Sequence, residues 1–572
     1  MVKSKAIALS EVAARAMQTA VPVIAMLAIY YALMLAILNF MQALGHRFAR
    51  VASGVGHISH FTHLTTWDGP VVIPALLGVG MLILVYQLWL RKKAAIVVLC
   101  GFIVTQALVD ASRGMHRTGL ALTILLAMVI AASIRAFPGK VDPASVRKLR
   151  IVIPALVAGF FAYGITGLYL LRGTLGLHES NLYRLGYRSV AVAVGDSGLQ
   201  FHGLAFAYRC SMVFLAMGSI ILVGMMLFRP YREKAGKTDG DRQRARELVE
   251  NYGSDSLAYF NLRSDKSVFF QGESFLAYKV VGDVAVVSGD PVGPADNIPE
   301  IVTAFREFCL ERGWRLSFLG ASGNLMPYYQ EAGLRGWELG EETVVHVDDF
   351  TLEGRQVRKL RQSVNKLAKA GYTMEFMYNA SIPAHVKHEL ARISVDWRGG
   401  REETGFSMGL GRLMSAEDPD CLLCVAYDPE LKPVGFLHFV PMYPHVGYSL
   451  DVHRSRIGSP GALSEFMIAR TAEFLRSEGY HQMSLHFLAL SENYRDDRGE
   501  PGSAFYRGIA RALDRILPVV SSYHFDKKFF PAWKKRYLLH VGFVDLLLVG
   551  IAAISAESAL GVTRPSDREK KA

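Results

Sequence analysis

The segment Tyr448–Arg454 contains the residues of this chain best suited to chemistry. An apolar strand pattern ends there, and Asp451 and Arg454 stand just before a turn with glycine and proline at 458–461. A carboxylate at a strand end can hold a substrate ammonium, and an arginine can hold a carbonyl or phosphate oxygen. The alternative is a structural Asp–Arg pair that fixes the turn, and these residues by themselves favour that alternative.

A basic amphipathic helix is predicted over 355–370. Its apolar stripe is formed by Val357, Leu360, Val364 and Leu367. The other faces carry Arg355, Arg358, Lys359, Arg361, Lys366 and Lys369. Such a face suits contact with nucleic-acid phosphates or lipid headgroups, and a solvated surface helix explains the pattern equally well.

The elements around these residues divide into an apolar and a polar region. The chain has 572 residues, is 51% hydrophobic and has a formal net charge of +12. Apolar runs long enough to cross a bilayer lie at 19–40, 70–90, 94–110, 117–136, 150–171 and 203–228. Lys and Arg clusters alternate between the connecting loops, so we predict about six crossings with both termini in the cytoplasm. The positive charge indicates an anionic partner, which is lipid, nucleic acid or both.

From about residue 240 the pattern changes to alternating strands and helices. Residues 274–290 predict two strands joined at Gly282-Asp283, followed by a helix near 297–312. A second α/β module has strands near 373–378, 422–427, 434–440, 446–451 and 482–488, with helices at 355–370 and 461–478. The apolar segment 541–560 is interrupted by Asp545 and Glu557, so we expect a packed or interfacial helix there. Cys421 and Cys424 lie in an apolar strand-like run, which indicates buried packing without metal or redox chemistry.

Several blocks of this sequence, taken in order, resemble the catalytic domain of the bacterial phosphatidylglycerol lysyltransferases. They are VVSGDPVGP, GEETVVHVDDFTLEGRQVRKLRQSVNKLAKAGY, ETGFSMGLGRL, YSLDVHR, SLHFLAL and HFDKKFFPAWKKRYLLH. The blocks cover most of residues 255–540, and they look most like the membrane half of the actinobacterial lysyltransferases that are fused to a lysyl-tRNA synthetase.

The resemblance implies an architecture and an activity. It implies a membrane bundle over 1–235, two tandem acetyltransferase-like (GNAT-like) α/β modules over 240–350 and 351–540, and a C-terminal helix and basic tail over 541–572. The implied enzyme is an aminoacyltransferase of the bacterial inner membrane with its soluble part in the cytoplasm. It would move an amino acid, lysine by analogy, from aminoacyl-tRNA to phosphatidylglycerol, which alters membrane surface charge and resistance to cationic peptides.

Roles for individual residues follow from the same resemblance. Its Asp-x-x-Arg pattern falls on Asp451 and Arg454, with Asp451 holding the ammonium of the amino acid and Arg454 orienting the ester or a phosphate. The substrate-binding candidates are Arg358, Arg361, Lys366, Ser407, Glu465 and Arg536. His453 and His486 depart from the family pattern and are candidates for a proton shuttle. His453 faces the same way as Asp451 if the strand extends through both residues.

The implied reaction needs positioning, a proton path and stabilisation of an oxyanion, and it needs no metal or redox cofactor. Because the sequence has no Ser/His/Asp triad pattern, we expect direct transfer without a covalent enzyme intermediate. One alternative is an acyl-CoA-dependent acetyltransferase, although Pro460 removes a backbone donor from the segment that would grip a pyrophosphate. Another is a non-enzymatic membrane protein that translocates lipid. A homo-oligomer is compatible with each of these.

Overall fold

A computed structural model describes most of this chain. The described residues are 26–37, 72–112, 124–128, 142–177, 181–194, 201–229, 239–399, 405–489, 519–542 and 545–557, with a few single positions between 130 and 199. The chain forms two compact units, one of residues 1–233 with 310–314, and one of residues 234–309 with 315–572. The predicted boundary at 235 therefore lies close to the division between the units.

The first unit is helical. Its helices are α1 (Met26–Ile37), α2 (Val72–Trp89), α3 (Lys93–Ser112), α4 (Pro143–Leu170), α5 (Leu182–Val194) and α6 (Leu204–Leu227). Helix α4 begins where Asp142 accepts a hydrogen bond from the Ser145 N–H, and Pro143 occupies the first turn, where its missing N–H costs nothing.

Two of these helices are long and apolar enough to cross a membrane. Only 11% of the apolar window of α4 and 6% of that of α6 is buried, whereas the core helix of a soluble protein is mostly buried. The predicted count of six crossings is not confirmed. The predicted runs at 70–90 and 94–110 are helical as α2 and α3, but the run at 19–40 is described only over α1, and most of the run at 117–136 lies outside the described residues.

The second unit alternates helices and strands, as the sequence predicts. Its helices are α7 (Asp239–Tyr252), α8 (Ile298–Arg312), α9 (Met326–Glu331), α10 (Arg358–Lys369), α11 (Ala384–Arg398), α12 (Leu463–Ser477), α13 (Val519–Asp526) and α14 (Asp545–Ala556). Its strands are β1 (Ser267–Gln271), β2 (Ser274–Val281), β3 (Val284–Ser288), β4 (Arg315–Ser322), β5 (Arg335–His346), β6 (Thr373–Tyr378), β7 (Leu422–Tyr427), β8 (Pro433–Met442), β9 (Gly447–Ser455), β10 (Gln482–Ala489) and β11 (Ala532–His540).

All eleven of these strands form one sheet in the order β1-β2-β3-β4-β11-β5-β10-β9-β8-β7-β6. Each half has an antiparallel set of strands followed by a crossover helix and a parallel strand, which are β3–α8–β4 in the first half and β9–α12–β10 in the second. The tandem α/β organisation is therefore confirmed. Strand β11, from the end of the chain, lies between β4 and β5, so the predicted boundary at 350 does not divide the sheet.

Three further predictions for this unit, on α10, α14 and the two cysteines, agree with the structure. Leu360, Val364 and Leu367 of α10 are buried in the core beneath α12, and the basic residues lie on the outer faces. Helix α14 packs on the sheet through an apolar side made of Val549, Ala552, Ala553 and Ala556. Cys421 and Cys424 are buried free thiols, and burial raises the pKa of Cys424 to about 12.

Strands β9 and β10 are paired only where they begin. The parallel ladder joins Gly447–Ser449 to Gln482–Ser484, and β9 then continues to Ser455 without further pairing to β10. A glycine is required at 447 because a Cβ atom there would collide with the backbone carbonyl of Gln482. Beyond Ser449 and Ser484, where this pairing ends, the sheet opens into a fork beside the Asp-x-x-Arg segment. The fork has residues 450–455 of β9 on one side and residues 485–489 of β10 on the other.

Replacing Gly447 with alanine is expected to push β10 away from β9 and to destabilise the second unit. Overpacking of this kind costs roughly 1–3 kcal/mol. Thermal unfolding of the full chain in detergent should show a melting temperature lower by several degrees. Gly461→Ala is the control, since nothing lies within 4 Å of a Cβ at that position. Equal melting temperatures for the two variants would show that the second unit tolerates a side chain at position 447, which would contradict a requirement for glycine there.

Candidate active site

Asp451 lies at a β-bulge in strand β9. In the ladder with β8, Leu450 pairs with Phe439 and Val452 pairs with His438, so Asp451 is the extra residue with no partner of its own. A bulge of this kind turns side chains to new directions and is common beside active sites. The effect on β9 is a change of face, since Leu450 packs in the core beneath α12 whereas Val452 packs in the core beneath α11.

The bulge brings Asp451 and Arg454 to the same face of the sheet. In a regular strand, residues three apart face opposite sides. Here Asp451 contacts His438, and the Arg454 guanidinium lies 4.0 Å from the ring centroid of Trp397 on α11. Both contacts are on the α11 side, so the two predicted residues share one face of the sheet.

His453 is not brought to Asp451, although β9 extends through both residues. Its Nε2 lies 3.1 Å from the Ser464 Oγ on α12, which is the opposite face. The expectation of a shared face is wrong because Asp451 is itself the extra residue of the bulge, so regular alternation does not extend from it to His453. His486 lies on β10, and its side chain is outside the described part of the structure.

The Asp451 carboxylate is almost completely buried and accepts two hydrogen bonds. Its side chain is 3% exposed. The backbone N–H of Leu410 donates to Oδ1 at 2.8 Å, and the ring nitrogen Nδ1 of His438 lies 2.8 Å from Oδ2. A carboxylate has about four acceptor positions, so two remain for a ligand.

His438 is a site residue that the sequence did not reveal. It is fully buried on β8, and its Nε2 lies 3.3 Å from the side-chain nitrogen of Asn379. Since an amide nitrogen only donates, Nε2 accepts and Nδ1 carries the proton that goes to Asp451. The ring thus orients the carboxylate. The one available signal was a histidine inside the apolar strand sequence PVGFLHFVPM, because a buried imidazole needs polar partners.

The loop that supplies the Leu410 N–H is fixed on both sides. On one side the Glu557 carboxylate, just after α14, accepts hydrogen bonds from the Phe406 and Ser407 N–H groups at 2.6 and 2.9 Å and from the Ser407 hydroxyl. On the other side Arg412 binds the buried Asp418 through two hydrogen bonds. Burial would raise the pKa of Asp418, but the hydrogen bonds and charge of Arg412 hold it below its ordinary value.

Several predicted substrate-binding residues are engaged inside the protein. Ser407 binds Glu557, and Glu465 accepts a hydrogen bond from Lys528 at 2.7 Å on the α12 side. Arg361 donates to the carbonyls of Leu352 and Gly354, which fixes the segment before α10. Arg358 and Lys366, in contrast, are exposed on a helix that has no acidic residue.

Arg536 is part of a buried network at the centre of the sheet. It is 3% exposed, and it donates to Glu342, Asp255, Ser256 and the carbonyl of Gly320. Burial would lower the pKa of Arg536, but the charges of Asp255 and Glu342 raise it above its ordinary value. The Arg536 guanidinium is thus engaged by groups of the protein itself, which indicates a structural role.

Arg536→Met is therefore expected to destabilise the protein, because it leaves buried carboxylates without their cation. Breaking such a pair costs about 3–5 kcal/mol. The check is thermal unfolding of the full chain, with the same change at the exposed Arg335 as control. A variant that unfolds like the control but loses transferase activity would instead restore Arg536 as a substrate-binding residue.

The first half of the sheet has a counterpart of Asp451, but no fork lies beside it. Asp290 follows β3, the strand that precedes the crossover helix, and it accepts hydrogen bonds from Tyr329 at 2.6 Å and from the Ser322 N–H at 3.1 Å. Burial and the neighbouring Asp255 raise the pKa of Asp290. Strands β3 and β4 pair along the whole of β3, so no fork opens there. These differences single out the second half.

Comparison with known proteins identifies the family. The model of the family described as phosphatidylglycerol lysyltransferase, C-terminal, matches residues 246–540. The lysylphosphatidylglycerol biosynthesis bifunctional protein LysX of Mycobacterium tuberculosis is 31% identical over 494 residues, covering 82% of this chain and 41% of that protein. LysX of Rhodococcus jostii is 31% identical over 452 residues, covering 77% of this chain and 40% of that protein. The chain thus spans about two-fifths of the length of these relatives.

Two solved structures resemble this chain over more than half of its length. L-PGS from Bacillus licheniformis has a TM-score of 0.49 at 23% identity, covering 57% of this chain and 99% of that one. The C-terminal domain of a putative lysylphosphatidylglycerol synthetase from Agrobacterium fabrum has a TM-score of 0.48 at 24% identity, covering 56% and 98%. On the family model, which matches more than half of the sequence, and on the LysX relatives, this chain belongs to the phosphatidylglycerol lysyltransferase family.

Proposed function

We propose that this protein is a membrane-bound aminoacyltransferase that moves lysine from lysyl-tRNA to a hydroxyl of phosphatidylglycerol. The product carries two added ammonium groups, the α-ammonium and the side-chain ammonium of lysine, so the surface charge of the membrane becomes less negative and cationic peptides bind it more weakly. Membership of the lysyltransferase family supports the reaction class, and the names of the LysX relatives support lysine as the amino acid that is transferred.

The observation that carries the proposal is the buried Asp451 carboxylate beside the β9–β10 fork. Two of its acceptor positions are used by Leu410 and His438, and the fixed loop and the imidazole hold the carboxylate in one orientation. An ammonium group at the remaining positions gains a charge-assisted hydrogen bond in a site with little water. Asp451 therefore holds the α-ammonium of the aminoacyl group, and Arg454, on the same face, binds an ester or phosphate oxygen.

The transfer itself exchanges one ester for another. The lipid hydroxyl oxygen attacks the aminoacyl carbonyl carbon, the bond from that carbon to the ribose oxygen breaks, and the hydroxyl proton ends on the ribose oxygen. No electrons or additional groups are consumed, and the protein supplies orientation and charge stabilisation. We propose that transfer is direct, so a stable aminoacyl-enzyme trapped by acid quenching would contradict the mechanism.

The two substrates are proposed to arrive from different environments. The exposed basic face of α10 suits the phosphates of tRNA, a cytosolic molecule. The long apolar helices α4 and α6 support a location in the bacterial inner membrane, where the acceptor lipid resides. We propose a multi-pass topology with the second unit in the cytoplasm, in line with the distribution of Lys and Arg among the loops.

The direct experiment is transfer by the purified full chain in phosphatidylglycerol vesicles. With labelled lysyl-tRNA, label should enter the lipid fraction, and ribonuclease should abolish the transfer. Labelled acetyl-CoA should give no labelled lipid. Incorporation from acetyl-CoA that resists ribonuclease would overturn the proposal in favour of an acyl-CoA-dependent enzyme.

A further inference from the structure

A groove lies between the C-terminal end of α11 and the turn that follows β9. It has a volume of about 390 Å³ and is lined by Ile393, Val395, Asp396, Gly399, Arg456 and Ile457. We refer to it as the α11–β9 groove. Two of its apolar residues are unusually exposed, Val395 at 55% and Ile457 at 80%. Apolar groups exposed together beside a groove indicate a binding surface.

The α11–β9 groove is on the face of the sheet that holds Asp451. Ile393, in its wall, packs in the same core as Val452, the residue that follows Asp451. Arg454 stands between the groove and Asp451 along β9, with its guanidinium against Trp397, and this indole is itself 42% exposed. A ligand in the groove would therefore lie along the strand that carries the reactive site.

The charges and the apolar groups of the groove together indicate one class of ligand. Arg456 lines the groove and Arg454 lies beside it, while Asp396 is the acidic residue among the lining residues. Arginine suits phosphate, an exposed tryptophan suits the boundary between headgroups and acyl chains, and isoleucine and valine gain only by contact with hydrocarbon. The ligand with all three features is an anionic phospholipid in a bilayer. A tRNA backbone would gain nothing from Ile457.

We propose that the α11–β9 groove is the docking surface for the acceptor phospholipid. Arg456 contacts its phosphate, Val395 and Ile457 contact the upper part of its acyl chains, and its polar head extends along β9 toward Asp451. The inference rests on the proposed function for its purpose, and it names the surface by which that function reaches its lipid substrate.

Ile457→Asp is the test variant, because its side chain is in a turn and contributes nothing to a core. Full chain is reconstituted in vesicles of neutral phosphatidylcholine with an increasing mole fraction of phosphatidylglycerol. The apparent KM for phosphatidylglycerol should rise about tenfold or more, as expected when one aliphatic side chain no longer buries its surface against lipid. The KM for lysyl-tRNA should not change. Tyr328→Asp, at an exposed aromatic residue of the first half, is the control and should match wild type.

Two results would overturn the docking surface. One is an unchanged KM for phosphatidylglycerol in Ile457→Asp, and the other is a raised KM for lysyl-tRNA, which would assign the groove to nucleic acid. A second measurement does not depend on catalysis. Phosphatidylglycerol with brominated acyl chains should quench Trp397 fluorescence, seen as the difference between wild type and Trp397→Phe. No quenched component in that difference would contradict docking even if transfer occurs, whereas quenching without any transfer would contradict the proposed function alone.

Discussion

Asp451→Asn is expected to lower kcat/KM for lipid lysylation by about 10²–10³-fold, because loss of one partner of a buried, hydrogen-bonded charge pair costs about 2–5 kcal/mol. The amide is nearly the same size and still has an oxygen for the Leu410 N–H, so the fold should persist. It loses the negative charge that would hold the ammonium, and its NH₂ group faces the proton on His438 Nδ1 unless the amide or the ring reorients. Steady-state kinetics with lysyl-tRNA and phosphatidylglycerol vesicles measure the loss.

The chain contains a matched control for this substitution. Asp348 and His481 form a second Asp–His pair at the same 2.8 Å distance, but their side chains are 57% and 63% exposed. Asp348→Asn should leave kcat/KM within about twofold, because exposed ion pairs contribute little. If both variants lose activity equally, or if neither does, then the buried carboxylate is not the group on which transfer depends.

Charge reversal on α10 is expected to have the second-largest effect. Arg358→Glu with Lys366→Glu replaces two exposed cations by anions on a helix whose buried stripe is untouched. We expect the KM for lysyl-tRNA to rise about 10–100-fold near physiological salt. The slope of log affinity against log salt should fall by about 1 for each tRNA phosphate that the helix no longer binds. The KM for phosphatidylglycerol should stay unchanged.

Reversing two charges elsewhere on the protein distinguishes a local contact between α10 and tRNA from an effect of the net charge of the protein. Arg242 and Arg335 are exposed in the first half of the second unit. Arg242→Glu with Arg335→Glu changes net charge equally and should alter the KM for lysyl-tRNA by less than about threefold, since charges beyond a Debye length are screened. Equal effects of the two pairs would mean that tRNA responds to net charge and that α10 is an ordinary surface helix.

The parts of the fold that could be predicted are those with local periodicity. The apolar stripe of α10 repeats at helical spacing, and the hairpin at Gly282-Asp283 and the strands β6 to β10 follow from alternation and turn residues. Their bounds in the structure agree with the predicted ranges to within a few residues, except that β9 continues to Ser455. The insertion of β11 between β4 and β5 could not be predicted, because it joins segments that lie far apart in the sequence.

Only part of the candidate site could be predicted from the sequence. Asp451 and Arg454 were identified from a family resemblance, but their spacing in a regular strand would separate them. Only the register between β8 and β9 reveals the bulge that places them on one face of the sheet and His453 on the other. His438, Asn379 and the Leu410 N–H come from separate segments, and nothing local in the sequence links them to Asp451.

Mass spectrometry of membrane lipids is the most direct test of the claim that this protein lysylates phosphatidylglycerol and needs Asp451 to do so. Lipids would be compared from cells that express wild-type chain, Asp451→Asn and Asp348→Asn at equal membrane levels. We predict lysyl-phosphatidylglycerol in cells with the wild type and Asp348→Asn, and its near absence with Asp451→Asn. Lipids that are identical in all three, or an aminoacyl lipid that persists with Asp451→Asn, would contradict this role.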